Sequence, residues 1–271
     1  MSVSLIDPTA RVAAGADIAA DVEIGPFCVI GPQVKIGSGA RLVSHVAIAG
    51  VTEIGANTVV YPFASLGTAP QSVHYHGEPT RLVIGANCQI RESVTANTGT
   101  VTGGGITTVG DDCFLMAGAH VAHDCHIGHH VIFANNSVIG GHVEIGENVF
   151  LGGHCAVHQF VRIGECAMIG GFSAVKEDVI PYGYVVDPMG RLGGINVVGM
   201  KRRGFSKADL HVVRRAVHDM FEGEGTFAER VERVAGAAGT SPAVDKIVAF
   251  VRSGKRPIMM MRKRGDYNYG D

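Results

Sequence analysis

The sequence predicts an all-β solenoid followed by a smaller α-helical domain. Three observations lead to this prediction: an apolar residue that returns at every sixth position, glycine that often follows it directly, and helix-capping signals confined to the C-terminal part. Glycine accounts for 38 of 271 residues and tryptophan is absent, which indicates many tight corners around a core of aliphatic side chains. A period of six fits neither the 3.6-residue helix nor a simple alternating strand, whereas it is typical of the parallel β-helix.

The repeat comes in three runs. An aliphatic residue occupies every sixth position from Ile6 to Leu66, the phase resumes at Ile84 and Ile90, and an apolar residue keeps it from Val109 to Val175. The interruptions near 68–83 and 97–107 contain prolines and a Gly-Gly-Gly sequence, so we expect them to project as loops. Loops on a rigid scaffold commonly bind ligands, although tolerated surface insertions would look the same. We expect the β-helix to occupy residues 1–190.

The remainder, residues 191–271, is predicted to form a helical domain. Ser206 with Asp209, and Thr226 with Glu229, resemble capping boxes that begin two helices. Ser241-Pro242 supplies an N-cap and a proline at the first position of a third helix. The tail from Lys255 shows no pattern, and we expect it to be disordered.

Composition narrows the possible functions. Residues 1–200 carry 8 basic and 16 acidic side chains, while residues 201–271 carry 15 and 9, so a basic end follows an acidic body. This predicts an acidic partner, and no nucleic-acid motif accompanies it. The six cysteines form no C-x-x-C pair, and the sequence shows neither a signal peptide nor an apolar run of about 20 residues that could span a bilayer. We expect a cytoplasmic protein with reduced thiols and no membrane insertion.

Five of the thirteen histidines lie within residues 116–130, next to a single carboxylate. One interpretation is a zinc site like that of the γ-class carbonic anhydrases, which use the same kind of β-helix; its candidate ligands are His120, His123, His142 and His158. A second interpretation makes one histidine a general base that is oriented by a carboxylate. A third places most of these histidines on the surface without a role.

The register of the repeat favours the second interpretation. The hexads resemble those of the hexapeptide acyltransferase superfamily, and this resemblance implies three hexads in each coil. Residues 18 apart would then lie on neighbouring coils at a separation of about 4.8 Å. Asp124 and His142 have this spacing, and so do His123 and Gly141. The N–H of Gly141 would then lie close to the His123 imidazole, where it is suited to stabilise an oxyanion. A base and an oxyanion donor on neighbouring coils make an acyl-transfer site that needs no metal.

The sequence resembles the hexapeptide acyltransferase superfamily, and more specifically the UDP-N-acetylglucosamine O-acyltransferases that start lipid A synthesis. The matching segments, which follow the family's order from about residue 5 to 252, are Gly77-Glu78-Pro79-Thr80, Ile90-Arg91-Glu92-Ser93-Val94-Thr95, His120-Val121-Ala122-His123-Asp124-Cys125, Ala134-Asn135-Asn136, Ala156-Val157-His158-Gln159-Phe160 and Lys201-Arg202-Arg203-Gly204-Phe205. The resemblance implies a left-handed coil, a homotrimer with active sites between subunits, and transfer of an (R)-3-hydroxyacyl chain from acyl carrier protein.

The resemblance also implies roles for individual residues. His123 is the general base, Asp124 positions it, and Gly141 holds the oxyanion. The residues implied in substrate binding are Gln71, Ser72, His74, His120, His142, His158, Gln159, Asn196, Arg202 and Arg203. Gly171 and Met189 lie at the family's acyl-chain ruler. No cofactor is implied beyond the phosphopantetheine carried by the acyl carrier protein, whose acidity would suit the basic end of this chain.

Three parts of the sequence depart from the family pattern. The usual Gln-Asp-Leu-Lys reads Gln71-Ser72-Val73-His74, so an acidic and a basic group next to the reacting carbon are both replaced. One hypothesis is that the acceptor is a 3-amino sugar, UDP-2-acetamido-3-amino-glucose, which would give an amide. Sequence drift without a change of acceptor explains the same residues. Val198 replaces a glutamate that faces the uridine, and Met189 replaces a histidine near the acyl pocket.

Overall fold

The computed structural model describes residues 6–186, 188–237 and 241–262, and it confirms the predicted fold class. The main body is a left-handed parallel β-helix, triangular in section, with short strands on three faces. Face 1 contains nine strands, face 2 contains eight and face 3 contains ten.

In chain order the strands are β1 (Arg11–Val12), β2 (Asp17–Ile18), β3 (Glu23–Ile24), β4 (Val29–Ile30), β5 (Val34–Ile36), β6 (Arg41–Leu42), β7 (Ala47–Ile48), β8 (Val51–Ile54), β9 (Val59–Val60), β10 (Ser65–Thr68), β11 (Arg81–Ile84), β12 (Gln89–Ile90), β13 (Thr95–Asn97), β14 (Ile106–Val109), β15 (Phe114–Leu115), β16 (His120–Val121), β17 (His126–Ile127), β18 (Ile132–Phe133), β19 (Val138–Ile139), β20 (Glu144–Ile145), β21 (Phe150–Leu151), β22 (Ala156–Val157), β23 (Arg162–Ile163), β24 (Met168–Ile169), β25 (Ala174–Val175), β26 (Gly183–Val185) and β27 (Leu192–Ile195). Through the coils, strands β1 to β25 alternate in the order face 1, face 2, face 3.

Most strands of the β-helix end in the predicted inward residue. In β20, for example, Glu144 is exposed while Ile145 is buried, and Ile145 stacks between Ile127 and Ile163 of the neighbouring coils. The chain turns between faces through residues with a left-handed backbone, such as Asp124 at φ 58° and His142 at φ 61°. Asp, Asn and His tolerate this conformation better than most side chains do. The period of six thus follows from two residues per strand and four per corner.

Both predicted loops leave the same edge, the corner where the chain passes from face 1 to face 2. The first spans residues 69–80 between β10 and β11, and the second spans 98–105 between β13 and β14. Thr68 and residues 81–83 belong to strands, so the first loop is shorter than the sequence suggests. Leu82 is buried there because β11 pairs along four residues with β8 and β14. We refer to these segments as the outer loop (69–80) and the inner loop (98–105).

The C-terminal part begins with a strand, because β27 pairs antiparallel with β26 before any helix starts. Four helices follow: α1 (Val197–Arg202), α2 (Lys207–Phe221), α3 (Phe227–Ala237) and α4 (Pro242–Ser253). Ser206 and Asp209 form the predicted capping box of α2, and Thr226 and Glu229 exchange the same kind of hydrogen bonds before α3. Ser241 makes no side-chain cap bond, although the proline follows as predicted. None of the helices in the described ranges is long and apolar enough to cross a membrane.

The tail is partly ordered, in contrast to the expectation. Ile258 bridges to Asp178 and Met261 bridges to Leu192, so this segment adds short pairings to the end of the solenoid. Residues 263–271 of the tail lie outside the described residues. Arg162 ties the helices to the β-helix: it donates to the buried carboxylate of Asp178 at 2.8 Å and to the Phe250 carbonyl at 3.0 Å.

Candidate active site

His123 and Asp124 lie in the turn between β16 and β17, on the corner between faces 1 and 2. Nδ1 of His123 lies 2.8 Å from Oδ2 of Asp124. A carboxylate only accepts hydrogen bonds, so Nδ1 carries the proton and Nε2 is left as the acceptor. The His123 side chain is 17% exposed, and Nε2 has no protein partner among the described residues. The imidazole is therefore held in the tautomer that a general base needs.

The Asp124 side chain is fully buried, with no exposed surface. Besides His123, it accepts hydrogen bonds from the backbone N–H of Thr100 at 2.8 Å and from the Thr100 hydroxyl at 2.6 Å. The backbone N–H of Asp124 donates to Oγ1 of Thr107 at 2.8 Å. All of these partners come from the inner loop and the strand that follows it, and a buried carboxylate requires such partners.

Gly141 lies one coil away from His123, as the 18-residue spacing predicts. A Cβ atom at position 141 would lie 2.5 Å from Cε1 and 2.7 Å from Nε2 of His123, so the imidazole packs directly against the glycine. Within the described part of the chain, the N–H of Gly141 donates to no other group. The structure therefore places Gly141, whose N–H is unused within the described residues, against the His123 imidazole.

His142 continues the same corner. Its ring contacts the His123 ring edge-on at 5.1 Å between centroids and stacks on Phe160 at 4.3 Å. Burial lowers the pKa of His142 below its ordinary value, although Asp124 acts in the opposite direction. His142 is consequently neutral at neutral pH and suited to hydrogen bonding rather than to charge pairing.

These side chains border a cavity of about 250 Å³ that lies under the outer loop. Of the predicted residues it contains Ser72, His74, His123, His142 and Gln159. The further lining residues, which the sequence did not single out, are Tyr75, Glu78, Thr100, Val101, Thr102 and Phe160. Glu78 and Phe160 lie in segments that resemble the family, and the signal for the other four is that the two loops interrupt the repeat.

Other predicted residues lie near this cavity without lining it. His120 is half-buried, and its Nδ1 lies 2.7 Å from the Thr95 hydroxyl; burial, with a smaller effect of His123, lowers its pKa. His158 is exposed and its Nδ1 lies 3.0 Å from the Gln159 carbonyl oxygen. Gln71 is exposed at the start of the outer loop.

The possible metal ligands form a smaller set than the zinc interpretation requires. Among the described residues one group of three has its ligand atoms within 4.8 Å of one another: His123, Asp124 and His142. His120 and His158 do not join this group. Because Asp124 already accepts from Thr100 twice and from His123, a metal ion would have to displace bonds that the fold has made.

A second cavity, of about 600 Å³, opens on face 3 beside the corner between faces 2 and 3. Arg202, Arg203, Asn196 and Val198 line it together with Asn148. Arg203 donates to the Asn148 side chain at 2.8 Å. Asn196 is engaged in the fold itself, because its side chain accepts from the Gly199 N–H at 2.9 Å and donates to the Cys166 carbonyl at 2.9 Å.

The predicted ruler residues lie on the third corner, between faces 3 and 1. Gly171 is exposed between β24 and β25. Met189 is 54% exposed, and its neighbour Pro188 accepts from the Ala174 N–H at 3.0 Å, which places it beside β25. The predicted site residues are thus divided among the three corners of the β-helix, and a single chain does not bring them together.

Comparison with known proteins agrees with this fold. A family model described as bacterial transferase hexapeptide (six repeats) matches residues 15–50 and 106–141, so the chain is of the hexapeptide-repeat transferase class. A second model, described as UDP N-acetylglucosamine O-acyltransferase, domain 2, matches residues 178–259.

Relatives over the full length define the family. The chain is 59% identical over 265 residues, 98% of each protein, to an acyl-acyl-carrier-protein–UDP-N-acetylglucosamine O-acyltransferase of Azorhizobium caulinodans, and 46% identical to that of Bartonella henselae over 98% of this chain and 97% of the relative. The solved structure of LpxA from Acinetobacter baumannii is 39% identical with a TM-score of 0.92, covering 94% of this chain and 99% of that one. The chain belongs to the UDP-N-acetylglucosamine O-acyltransferase family.

Proposed function

We propose that this protein transfers an (R)-3-hydroxyacyl chain from acyl carrier protein to the 3-hydroxyl of UDP-N-acetylglucosamine, the first step of lipid A biosynthesis, in the cytoplasm. The observation that carries the proposal is the arrangement of His123, which is fixed by buried Asp124 and packs against Gly141 at the edge of a cavity. The family to which the chain belongs supports the same reaction.

In the proposed reaction, Nε2 of His123 removes the proton from the sugar 3-hydroxyl, and the oxygen attacks the thioester carbonyl carbon. The negative charge that develops on the carbonyl oxygen is stabilised by the Gly141 N–H. The carbon–sulfur bond then breaks, and the proton on His123 passes to the departing phosphopantetheine thiol. The products are the 3-O-acyl sugar and the free carrier protein, so His123 returns to its starting state without a cofactor.

We propose a homotrimer in which neighbouring subunits complete each site. The division of Gln159, Arg202, Arg203 and Gly171 among different corners supports this, because substrates that contact all of them need more than one chain. Arg202 and Arg203 supply positive charge to the second cavity, which suits a nucleotide diphosphate or the phosphate of phosphopantetheine. The basic residues of the C-terminal segment would attract the acidic carrier protein.

Mixed trimers test the shared site. A preparation of His123→Ala alone and one of Arg203→Ala alone are both expected to transfer little acyl chain. Co-expression of the two variants should restore part of the activity if the residues act from different subunits. Mixed trimers that stay inactive, despite mass spectrometry that proves mixed assembly, would contradict a shared site.

The identity of the acceptor is tested separately. Ser72, His74 and Glu78 line the cavity that contains His123, and this set lacks the lysine that would repel an ammonium group. Steady-state kcat/KM values for UDP-N-acetylglucosamine and its 3-amino analogue, with one 3-hydroxyacyl carrier substrate, compare the two acceptors. We expect the hydroxy sugar to be the preferred acceptor. A clear preference for the amino sugar would mean that the product is an amide and not an ester.

A zinc carbonic anhydrase of the γ type would contain zinc, whereas the proposed acyltransferase needs none. We therefore expect the purified protein to contain no stoichiometric zinc and to transfer the acyl chain after treatment with a chelator. Stoichiometric zinc with carbon dioxide hydration, and no acyl transfer, would replace the proposed function.

A further inference from the structure

We infer that Thr100, in the inner loop, is the residue that positions the catalytic pair, because it holds the Asp124 carboxylate in the orientation that fixes His123. The inference rests on the proposed role of His123 as the base. Thr100 does not touch the free nitrogen of His123, so it acts through Asp124.

The hydrogen bonds define how Thr100 acts. Its backbone N–H donates to Oδ1 of Asp124, and its hydroxyl donates to Oδ2, so one residue contacts both oxygens of the carboxylate. Oδ2 also accepts from Nδ1 of His123. Two contacts at two different oxygens fix both the position and the plane of the carboxylate. The third bond then fixes the plane of the imidazole and directs Nε2 into the cavity.

The inner loop is shaped to make these contacts. Thr100 caps the 3-10 turn at Val101–Gly103: its hydroxyl oxygen accepts from the Gly103 N–H at 3.2 Å, and its carbonyl accepts from the Gly105 N–H at 2.8 Å. A Cβ at Gly103 would lie 2.1 Å from Cγ of Asp124, and one at Gly99 would lie 2.7 Å from Oδ1. Glycine on both sides of Thr100 therefore lets the loop close onto the carboxylate.

Burial makes the contribution of Thr100 large. The Asp124 side chain has no exposed surface, so water does not replace a lost donor without a rearrangement of the loop. In an environment of this kind a carboxylate with one donor fewer is expected to shift toward other polar groups, and His123 would move with it. A misplaced base lowers the rate of proton transfer while the substrates still bind.

The test compares three substitutions at position 100 with a matched control. Thr100→Val keeps the shape and removes the hydroxyl, whereas Thr100→Ser keeps it. The control is Thr108→Val, because Thr108 lies on face 2 and its hydroxyl forms a hydrogen bond, among the described residues, only with the exposed His126, at 3.0 Å. We expect Thr100→Val to lower kcat by about tenfold or more, with KM for the sugar and for the acyl carrier within about threefold, and both Thr100→Ser and Thr108→Val to stay within about threefold of wild type.

Thr100→Ala removes the hydroxyl without placing a methyl group against the carboxylate, and it is expected to give the same loss if Thr100→Val does not fold. Thr100→Val or Thr100→Ala with wild-type kcat overturns the inference, as does a Thr100→Ser protein that is no better than Thr100→Val. These outcomes are distinct from a failure of the proposed function, which would appear as an absence of acyl transfer by the wild-type protein.

Discussion

The outer and inner loops interrupt the same corner of the β-helix, yet they are built in opposite ways. The outer loop is held mainly by bonds within itself, such as Tyr75 to the Glu78 carbonyl at 2.8 Å, and Val73 at its tip is 89% exposed. The inner loop bonds instead to the solenoid, where Thr100 donates twice to the buried carboxylate of Asp124. Both loops border the cavity that contains His123, but only the inner loop also holds the Asp124 carboxylate that orients this histidine.

This difference predicts which kinetic property each loop controls. Changes in the inner loop should act on kcat, because they displace groups that act on the reacting atoms. Changes in the outer loop should act on KM and on the choice of acceptor, since its side chains border the cavity without contacting Asp124. Substitutions that violate this division would show that the two loops are not separate in function.

Among the substitutions that compare the two loops, the largest effect on kcat is expected at the Asp124 carboxylate, to which the inner loop donates. In Asp124→Asn, the NH2 group of the amide would point either at the donors of Thr100 or at the Nδ1–H of His123. Two hydrogen-bond donors would then face each other, and one hydrogen bond would be lost. We expect kcat to fall by about 10²- to 10³-fold, with a smaller change in KM. Steady-state kinetics with the 3-hydroxyacyl carrier substrate checks this, and an Asn variant with more than about a third of the wild-type kcat would remove Asp124 from the mechanism.

A pair of glycine substitutions compares the loops directly. Gly103→Ala would place a Cβ within 2.1 Å of Asp124 Cγ, whereas at Gly77 of the outer loop nothing lies within 4 Å of a Cβ. We expect Gly103→Ala to lower kcat by about tenfold or more and Gly77→Ala to leave kcat within about threefold. The φ of +97° at Gly77 should cost Gly77→Ala about 1–2 kcal/mol of unfolding free energy. Equal losses of kcat in the two variants would contradict the division.

A moderate effect is expected at the rim of the outer loop. The double variant Ser72→Asp with His74→Lys restores the charged pattern that is usual in the family, and it should change the ratio of kcat/KM between the hydroxy and amino sugars several-fold, by about 1 kcal/mol of differential binding. Both values of kcat should remain near wild type. A drop of both kcat values without a change in their ratio would place these residues in catalysis instead of acceptor selection.

The smallest effect concerns the pH dependence of stability. Burial lowers the pKa of His120 in the folded protein, so the unfolded chain binds a proton more readily. The stability that His120 contributes is complete above its ordinary value of 6.5 and is lost as the pH falls below it. Between about pH 7.5 and 5.5, the Tm of His120→Asn should therefore fall less than that of wild type. The Tm of the control His211→Asn, at an exposed position, should fall as much as that of wild type. An unchanged pH dependence in His120→Asn would contradict this linkage.

Much of the fold was predictable, because inward residues such as Ile127 and Ile145 recur with a period that only a coil satisfies. The same period brought His123 next to Gly141 in the prediction, and the structure shows that contact. Thr100 was not predictable, since the inner loop breaks the register and its contact with Asp124 spans 24 residues through a loop of irregular shape.

The position of Arg202 and Arg203 was also beyond the sequence. It depends on β27, an antiparallel strand before α1 that no pattern of residues predicts. The ordered part of the tail has the same origin: Met261 pairs with Leu192 of β27, and no periodic pattern marks either segment. Local repeats can be recognised in a sequence, whereas single long-range strand pairings at the end of a solenoid cannot.

The central claim is that His123, held by Asp124, is the base of an acyl transfer that needs no metal. Its most direct test is the single-turnover rate of His123→Ala and wild type, measured after removal of metal ions, with UDP-N-acetylglucosamine and a 3-hydroxyacyl carrier protein. We predict that wild type forms the 3-O-acyl sugar and that His123→Ala is about 10²- to 10⁴-fold slower. A His123→Ala rate within about tenfold of wild type, or a wild-type rate that appears only when zinc is restored, would contradict the account.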